Sequence, residues 1–217
     1  MQKTALIAGA TGLTGSHCLQ LLLEDDNYSE VLVLSRKAVG VKHSKLQEHI
    51  IDFDRIYNYS ELIKADDVFC CLGTTMKKAG SKEAFYKVDF TYVFQLADIA
   101  AKKGASGFFM VSAMGANKHS KIFYNKVKGE IEEAIKKFPF ETIGIFRPSL
   151  LMGDRKEMRI GEKIAQIIMP AISFLLPEKY KPVNAHAVAK AMVSTALQNR
   201  KGIVVVESDE IQKFHPR

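Results

Sequence analysis

A tyrosine and a lysine four residues apart are the first pair in this sequence that could transfer a proton. They are Tyr124 and Lys128, in the segment YNKVK, and a helix would bring both side chains to one face. None of the other tyrosines has a lysine at this spacing, yet about one such match is expected by chance in a lysine-rich chain. The spacing alone therefore fits either a catalytic pair or two neighbours on a surface helix.

A serine at the end of a predicted strand favours the catalytic interpretation. Ser112 would lie at the carboxyl edge of a sheet, with Tyr124 at the start of the next helix. In such a set, the tyrosine donates a proton to a carbonyl oxygen as hydride arrives, and the serine holds the carbonyl. The pKa of a tyrosine is ordinarily about 10, and a nearby ammonium and a cationic nicotinamide would lower it. Lys128 would supply that ammonium and could also bind the nicotinamide ribose.

A glycine-rich turn near the start of the chain predicts where a dinucleotide would bind. The segment GATGLTG places Gly9, Gly12 and Gly15 between an apolar strand and a helix, and we expect Thr11 and Leu13 among the cofactor contacts. Glycines at such a junction let the backbone approach a pyrophosphate, which the amides at the helix start then bind. The alternative is a structural turn that has lost its ligand. A P-loop is excluded, because no Lys-Ser or Lys-Thr follows the glycines.

The residues after the second strand favour NADP(H) as the cofactor. Ser35, Arg36 and Lys37 stand at its carboxyl end, where two cations and a hydroxyl suit a 2′-phosphate and no carboxylate is expected to repel it. Glu30 opens the strand, so it lies at the wrong end of the sheet to bind the ribose hydroxyls. The alternative is an Arg-Lys pair that is only solvated in a loop.

Two other side chains have both a functional and an ordinary interpretation. Asp52 ends the third strand just before Phe53, and could accept a hydrogen bond from the adenine amine, or could equally be an exposed loop carboxylate. His119 lies between Ser112 and Tyr124 and could face a substrate, although a solvated loop histidine is the favoured interpretation.

Hydrophobic periodicity predicts the elements that must position these residues. Seven apolar runs indicate strands at 4–10, 30–36, 48–53, 66–73, 107–113, 142–148 and 202–208, and helices are expected at 14–25, 81–103, 125–138 and 184–199. This alternation predicts an α/β fold, a Rossmann-like doubly wound parallel sheet of about seven strands with helices on both faces. We expect residues 1–217 to form a single domain, with 150–182 as an insertion on the substrate side of the sheet.

The composition narrows the class of protein. The 217 residues are 47% hydrophobic and 25% charged, as in soluble globular proteins, and no apolar run is long enough to predict a transmembrane helix. The apolar segment 164–176 is interrupted by Pro170, and we interpret it as a helix pair lining a cleft, with a membrane-surface segment as the alternative. The net charge of +7 is scattered, so it favours an anionic cofactor over nucleic acid.

The cysteines and histidines predict no oxidising compartment and no metal. Cys18, Cys70 and Cys71 have no CxxC spacing, and nothing at the start resembles a signal peptide, so we expect reduced thiols in a cytoplasmic protein. Cys70 and Cys71 would point to opposite faces of a strand as buried hydrophobes, with a redox pair as the alternative. The six histidines show no ligand spacing, so no metal is expected.

Several short segments carry a family resemblance over about residues 4–200. With the glycine turn and the Ser-Tyr-Lys set, the segments FCCLGTT, KAG, VD, MGA, VKGE, FRPSLL, DR and GE resemble the Tat-interacting oxidoreductases, which are atypical or extended short-chain dehydrogenases/reductases. The resemblance implies a single-domain fold that binds NADPH, with Ser112, Tyr124 and Lys128 as the catalytic set. It also implies cofactor contacts from Leu72, Gly73, Thr74, Arg147 and Pro148.

Two residues depart from the family pattern. Asp89 stands where many of these enzymes have an asparagine that supports a proton-relay water, and Ser149 stands where a glycine often follows the proline. The expected function is NADPH-dependent reduction of a small carbonyl compound, which the Ile, Met, Phe and Leu content of 150–182 predicts to be apolar. The alternative is a non-catalytic NADPH sensor or adaptor with a protein partner. Neither a nucleic acid nor a membrane is expected as a partner.

Overall fold

Parallel strands form the centre of the molecule. The computed structural model describes residues 2–152, 177–198 and 200–214. Its strands are β1 (Lys3–Ala8), β2 (Tyr28–Ser35), β3 (Leu46–Ile50), β4 (Asp67–Cys70), β5 (Gly107–Val111), β6 (Thr142–Arg147), β7 (Leu151–Met152), β8 (Val183–Asn184) and β9 (Gly202–Glu207). Seven of them form one parallel sheet in the order β3-β2-β1-β4-β5-β6-β9, and β7 pairs with β8. The order reverses direction between β1 and β4, which confirms the predicted doubly wound sheet.

Helices cover both faces of the sheet, as the alternation in sequence predicts. They are α1 (Leu13–Glu24), α2 (Met76–Ala79), α3 (Lys82–Tyr86), α4 (Tyr92–Lys102), α5 (Phe123–Ile135), α6 (Ala185–Leu197) and α7 (Ser208–Gln212). A 3₁₀ segment covers Phe53–Leu62, a second covers Glu178–Tyr180, and a π turn covers Lys87–Thr91. On one face α1 packs against α6, and on the other face α4 packs against α5.

Two apolar cores lie on the two faces of the sheet. Because side chains of a strand alternate between faces, Ile7 packs with α1 and α6, whereas its neighbour Leu6 packs with α4 and α5. The adjacent cysteines follow the same rule. Cys70 belongs to the core under α4 and α5, and Cys71 packs against the core under α1 and α6. This confirms their predicted placement on opposite faces. Burial of both faces explains why the strands are almost continuously apolar in sequence.

Three predicted boundaries are wrong for local reasons. The third strand ends at Ile50, because Asp52 starts the 3₁₀ segment instead of extending the strand. The fourth strand ends at Cys70, although the apolar run continues to Leu72. The single helix expected at 81–103 is divided into α3, the π turn and α4. A π turn holds an additional residue, so it changes which side chains face inward, and hydrophobic spacing cannot detect it.

The insertion predicted at 150–182 is described only at its ends. Residues 153–176, including the predicted helix pair at 164–176, lie outside the described residues. The flanking strands β7 and β8 pair in parallel, with Leu151 opposite Val183, so the two ends of the segment lie side by side. Within the described ranges, no helix is both long enough and apolar enough to cross a membrane.

Candidate cofactor and proton-transfer site

The glycine turn has the close backbone approaches that its sequence predicts. Gly9 has a φ of 89°, and a Cβ there would stand 2.5 Å from the carbonyl oxygen of Cys71. A Cβ on Gly15 would stand 2.1 Å from the carbonyl oxygen of Gly9. The amide of Gly12 donates to that same carbonyl at 2.9 Å and closes the turn. A side chain at Gly9 or Gly15 would therefore force the backbone apart.

The first turn of α1 has the features of an anion site. Gly12 is its N-cap, no side chain caps the helix, and no acidic residue lies in the first turn. Thr11 and Gly12 are exposed, and Leu13 is half-buried. The hydroxyl of Thr14 is buried and bonds to none of the described residues. The free amides of this turn and the Thr14 hydroxyl could donate to an anion, and the glycines leave room for it because they have no side chains. These features fit the pyrophosphate of a dinucleotide.

The carboxyl end of β2 carries the two predicted cations and one carboxylate that was not predicted. Arg36 and Lys37 are exposed, and neither forms an ion pair with a described residue. The buried hydroxyl of Ser35 donates to the carbonyl oxygen of Lys37 at 2.8 Å and lies 3.4 Å from Oε1 of Glu48. Glu48 also accepts from the amide of Val39 at 2.7 Å. The expectation that no carboxylate lies here is wrong, because the pairing of β2 with β3 brings Glu48 to this edge.

Asp52 and Phe53 have structural roles in the folded chain. Oδ1 of Asp52 accepts from the amide of Asp54 at 3.0 Å, which caps the 3₁₀ segment, and Oδ2 lies 3.9 Å from Nε of Arg55. The ring of Phe53 is buried and packs against Tyr92, with 5.6 Å between the ring centroids. Contact of either residue with adenine therefore stays a prediction.

The loop after β4 meets the predicted catalytic lysine. Leu72 is half-buried and Gly73 is exposed. A Cβ on Gly73 would stand 3.4 Å from Oδ1 of Asp89 and 3.9 Å from Nζ of Lys128. The amide of Thr74 donates to Oδ2 of Asp89 at 2.8 Å. Asp89 thus joins the predicted cofactor loop to the predicted catalytic helix.

Tyr124 and Lys128 lie one turn apart on α5. Tyr124 is half-buried, its ring lies 5.6 Å from that of Phe85, and its hydroxyl bonds to none of the described residues. The Lys128 side chain is 6% exposed, and its Nζ lies 2.7 Å from Oδ1 of Asp89, which is 1% exposed. Burial by itself lowers the pKa of Lys128 and is the largest single effect, but the negative charge of Asp89, together with smaller contributions from Tyr124 and Cys70, raises that pKa overall. Lys128 is therefore held as a cation.

Two neighbours of Lys128 explain how α5 is oriented. Lys126 lies on another face of the helix, as the spacing predicts, and its Nζ is 3.8 Å from Glu130 at the exposed surface. Gly129 faces the chain between β5 and α5, where a Cβ would stand only 2.2 Å from the carbonyl carbon of Asn117. The glycine in VKGE lets this loop cross directly over the helix, which fixes the face that carries Lys128.

Ser112 and Arg147 belong to one buried polar network. The hydroxyl of Ser112 donates to Oε1 of Glu132, which is 1% exposed and one turn beyond Lys128. Arg147 donates to Glu132 through Nε at 3.0 Å and Nη2 at 2.6 Å, and to Glu207 through Nη1 at 2.8 Å. Its bonds to Glu132 raise the pKa of Arg147, against the opposing effect of burial. Contacts of Ser112 with substrate and of Arg147 with cofactor stay predictions.

The residues after Arg147 fix the loop at the end of β6. Pro148 is buried, and its carbonyl oxygen accepts from the amide of Met114 at 2.9 Å. The amide of Ser149 donates to the hydroxyl of Ser208 at 3.2 Å, and its own hydroxyl donates to the carbonyl of Lys181 at 2.5 Å. Only the bond to Lys181 requires the serine side chain, so a glycine at this position would keep the contact with Ser208 and lose the contact with Lys181.

A cleft of about 220 Å³ opens beside the Glu132–Arg147 network. Residues 116–119 of the loop after β5 line it together with Gly129, Glu133 and the ion pair itself. His119 is exposed within this loop. Among the described residues, no group of three or more histidine, cysteine, aspartate or glutamate side chains is arranged to hold a metal ion.

Three residues of this site were not predicted from the sequence. Glu132 had a usable signal, because it follows Lys128 at helical spacing and so shares its face. Thr14 lies within the glycine-rich segment, just before Gly15, so its hydroxyl is in the first turn of the helix, at the end that binds anions. Glu48 had no local signal, because only the pairing of β2 and β3 brings it near Ser35.

Curated relatives cover most of this chain. Protein HTATIP2 of Rattus norvegicus is 35% identical over 168 residues, which cover 76% of this chain and 69% of the relative. Protein FMP52 of Candida albicans, described as mitochondrial, is 32% identical over 223 residues, which cover 97% of each chain. The HTATIP2 match confirms the resemblance to the Tat-interacting oxidoreductases.

Solved structures share the fold at low sequence identity. MoeE5 in complex with UDP-glucose and NAD has a TM-score of 0.72 and 16% identity, and the match covers 96% of this chain and 79% of MoeE5. The UDP-glucose 4-epimerase of Thermotoga maritima has a TM-score of 0.71 and 15% identity, covering 97% of this chain and 80% of the epimerase. At these identities the likeness supports the Rossmann-like fold alone.

The predicted cytoplasmic location is contradicted by the relatives. Several fungal relatives that match almost the whole chain, from Candida albicans, Meyerozyma guilliermondii and Aspergillus fumigatus, are described as mitochondrial. The prediction rested on Cys18, Cys70 and Cys71 being free thiols, which they are. Free thiols do not distinguish one reducing compartment from another.

The matching family model agrees with the geometry at the glycine turn and at the pair Tyr124–Lys128. The model that matches residues 5–156 is described as the NAD dependent epimerase/dehydratase family. The matched range contains the glycine turn, the loop after β4, and the helix with Tyr124 and Lys128. An NAD(P)-dependent chemistry therefore agrees with the anion site at α1 and with the buried lysine on α5. This chain belongs to the NAD dependent epimerase/dehydratase family, with a short-chain dehydrogenase/reductase fold.

Proposed function

We propose that this protein is an NADP(H)-dependent reductase of a small carbonyl compound, with Tyr124 as the proton donor. The observation that carries the proposal is the position of Tyr124 one turn before the buried Lys128, beside the loop of Gly73. A half-buried tyrosine hydroxyl without a partner among the described residues is available to a ligand. The buried ammonium one turn away is paired with Asp89, and a buried ion pair of this kind contributes little stability, which supports a functional reason for it.

The cofactor would lie across the carboxyl edge of the sheet. The first turn of α1 would bind the pyrophosphate, and Arg36 and Lys37 would bind the 2′-phosphate, since both are exposed and unpaired among the described residues. Glu48 already bonds to Ser35 and to the amide of Val39, so its carboxylate is partly satisfied. When bound, NADPH would supply the hydride that reduces the carbonyl carbon of the substrate.

Tyr124 would complete the reduction by protonating the carbonyl oxygen. The carbonyl then gains one hydride and one proton and becomes an alcohol, and the tyrosinate regains its proton from solvent. Near Tyr124, Ile122 is 62% exposed. An apolar side chain at the start of α5 is therefore accessible to a small apolar substrate.

A regulatory role is the second candidate, and one observation favours it. The hydroxyl of Ser112 donates its only proton to Glu132, so it can accept a further hydrogen bond but cannot donate one to a substrate carbonyl. A protein that only senses NADPH needs the phosphate contacts of α1 and β2 but not a serine that binds substrate. This candidate predicts cofactor binding without turnover.

The test compares the native protein with Tyr124→Phe in a screen of aldehydes and ketones, followed by NADPH absorbance. Removal of the proton donor should lower the turnover rate by about 100-fold or more, because general acids contribute factors of this size. NADPH affinity, measured by fluorescence titration, should be almost unchanged. Tyr57→Phe is the matched control, since Tyr57 is an exposed tyrosine on the 3₁₀ segment.

The possible outcomes separate the two candidates. If Tyr124→Phe reduces a compound at the native rate, Tyr124 is not the proton donor. If NADPH binds but none of the compounds is reduced by the native protein, the regulatory candidate is favoured. If NADPH does not bind, both candidates fail.

A further inference from the structure

Asp89 occupies an unusual position in the helical segment that faces α5. It lies in the π turn Lys87–Thr91, between α3 and α4, and its side chain is 1% exposed. A π turn is rare, because its backbone hydrogen bonds depart from the regular helical pattern, and it occurs often at functional sites. In this π turn the carboxylate of Asp89 points inward, toward Lys128. A regular helix has one residue fewer in the turn, so it would place a different side chain at this position. The local backbone is thus arranged around the burial of one negative charge.

Both oxygens of the Asp89 carboxylate face parts of the proposed site. Oδ2 accepts from the amide of Thr74 at 2.8 Å, in the loop after β4. Oδ1 lies 2.7 Å from Nζ of Lys128 as an ion pair, although it accepts no hydrogen bond of good geometry from the described residues. Gly73 closes this corner without a side chain of its own. Asp89 therefore fixes the lysine and the loop relative to each other.

The charges that face Lys128 come from three elements. Asp89 faces it from the π turn, Tyr124 from α5 itself, and Cys70 from the end of β4. Burial raises the pKa of Cys70 to about 12, so its thiol carries no charge at neutral pH. The carboxylate of Asp89 is thus the counter-ion of Lys128 among the described residues, and the pair has a net charge close to zero. An asparagine at this position would leave the ammonium charge unbalanced.

We propose that Asp89 is a positioning residue that balances the charge of Lys128, keeps Tyr124 protonated, and thereby extends carbonyl reduction to higher pH. The inference rests on the proposed function in one respect, the role of Tyr124 as the proton donor. Reduction needs a tyrosine hydroxyl that can donate a proton, so its rate declines above the pH at which this hydroxyl ionises. An ammonium at Lys128 without a counter-ion would stabilise the negative charge of an ionised Tyr124. The carboxylate of Asp89 weakens this stabilisation, because it repels the tyrosinate.

Tyrosinate absorbance tests the electrostatic part without any substrate. The native protein and Asp89→Asn are titrated from about pH 7 to about pH 11, and the curve of the same protein carrying Tyr124→Phe is subtracted to isolate this one hydroxyl. The midpoint of its ionisation should fall by about one pH unit or more in Asp89→Asn, which has lost a buried negative charge. Asp89→Glu keeps the charge and should stay close to the native midpoint. An unchanged midpoint in Asp89→Asn would overturn the proposal.

Folding and the pH profile of the reaction are checked separately. Circular dichroism and NADPH titration show whether each variant is folded, and Asp89→Ser, which is smaller and also neutral, replaces Asp89→Asn if the latter does not fold. Once a substrate is known, the pH above which carbonyl reduction declines should fall by about one unit in the neutral variant, together with the midpoint. If the midpoint shifts but no carbonyl compound is ever reduced, the proposed function fails while the electrostatic role of Asp89 stands.

Discussion

Arg147 binds Glu132 through two atoms of its guanidinium, with Nη2 at 2.6 Å from Oε2 and Nε at 3.0 Å from Oε1. The third nitrogen, Nη1, reaches Glu207 at 2.8 Å. One side chain at the end of β6 therefore joins α5 to the end of β9. Ser112 adds the end of β5 through its bond to Glu132. Three neighbouring strand ends and the helix that carries Lys128 are held in register by this network.

Replacement of Arg147 by lysine should destabilise the protein although the charge is conserved. A lysine has a single ammonium and cannot bond both carboxylates in the geometry of a guanidinium fork. We expect the free energy of unfolding to fall by about 2 kcal/mol, because Glu132 is buried and would lose a charged hydrogen bond. Urea denaturation without cofactor measures this change. Arg55→Lys is the control, since that pair is exposed and 3.9 Å long, and an equal effect there would contradict the explanation.

Replacement of Arg36 by alanine should weaken the binding of NADPH much more than that of NADH. The reason is that only NADPH carries the 2′-phosphate that this exposed guanidinium would bind. Titration calorimetry should show an approximately tenfold or larger loss for NADPH, equivalent to about 1.4 kcal/mol. Lys201→Ala removes the same charge just before β9, at the opposite edge of the sheet, and should change neither affinity. Equal affinity of the native protein for the two cofactors would refute the phosphate site.

Tyr28 should make the fold sensitive to alkaline pH. Its ring is fully buried, and its hydroxyl donates to Oδ2 of Asp67 at 2.8 Å. Burial first, and then the negative charge of Asp67, raise the pKa of Tyr28 far above its ordinary value. The folded state therefore keeps a proton that the unfolded chain loses above about pH 10. The stability that this proton contributes is fully present below that pH, and falls by about 1.4 kcal/mol for each further pH unit.

Denaturation of the native protein and Tyr28→Phe at several pH values tests this dependence. At neutral pH the variant should be less stable by about 1 kcal/mol, because it lacks the hydrogen bond to Asp67. Above about pH 10 the two stabilities should converge, since phenylalanine has no proton to lose. Parallel curves for the two proteins would show that Tyr28 is ionised as easily in the folded state as in the unfolded chain.

Local pattern determined much of this molecule. Apolar runs separated by helical spacing predicted the seven parallel strands and the helices on both faces, because each element is defined by its own periodicity of burial. The glycine turn and the pair Tyr124–Lys128 were also local, since a few adjacent residues define both. Lys126 could be separated from Lys128 by the same argument, because helical geometry alone assigns them to different faces.

Contacts between distant segments could not be predicted in this way. The sequence shows Asp89 as a departure from a family pattern, but only the folded chain brings it within 2.7 Å of Lys128. Glu48 reaches Ser35 through strand pairing, and Ser112 turns to Glu132 because α5 packs against the end of β5. Periodicity reports whether a side chain is buried, not which partner it meets. Partners depend on strand order, on helix crossing and on one π turn, and those are decided when the whole chain packs.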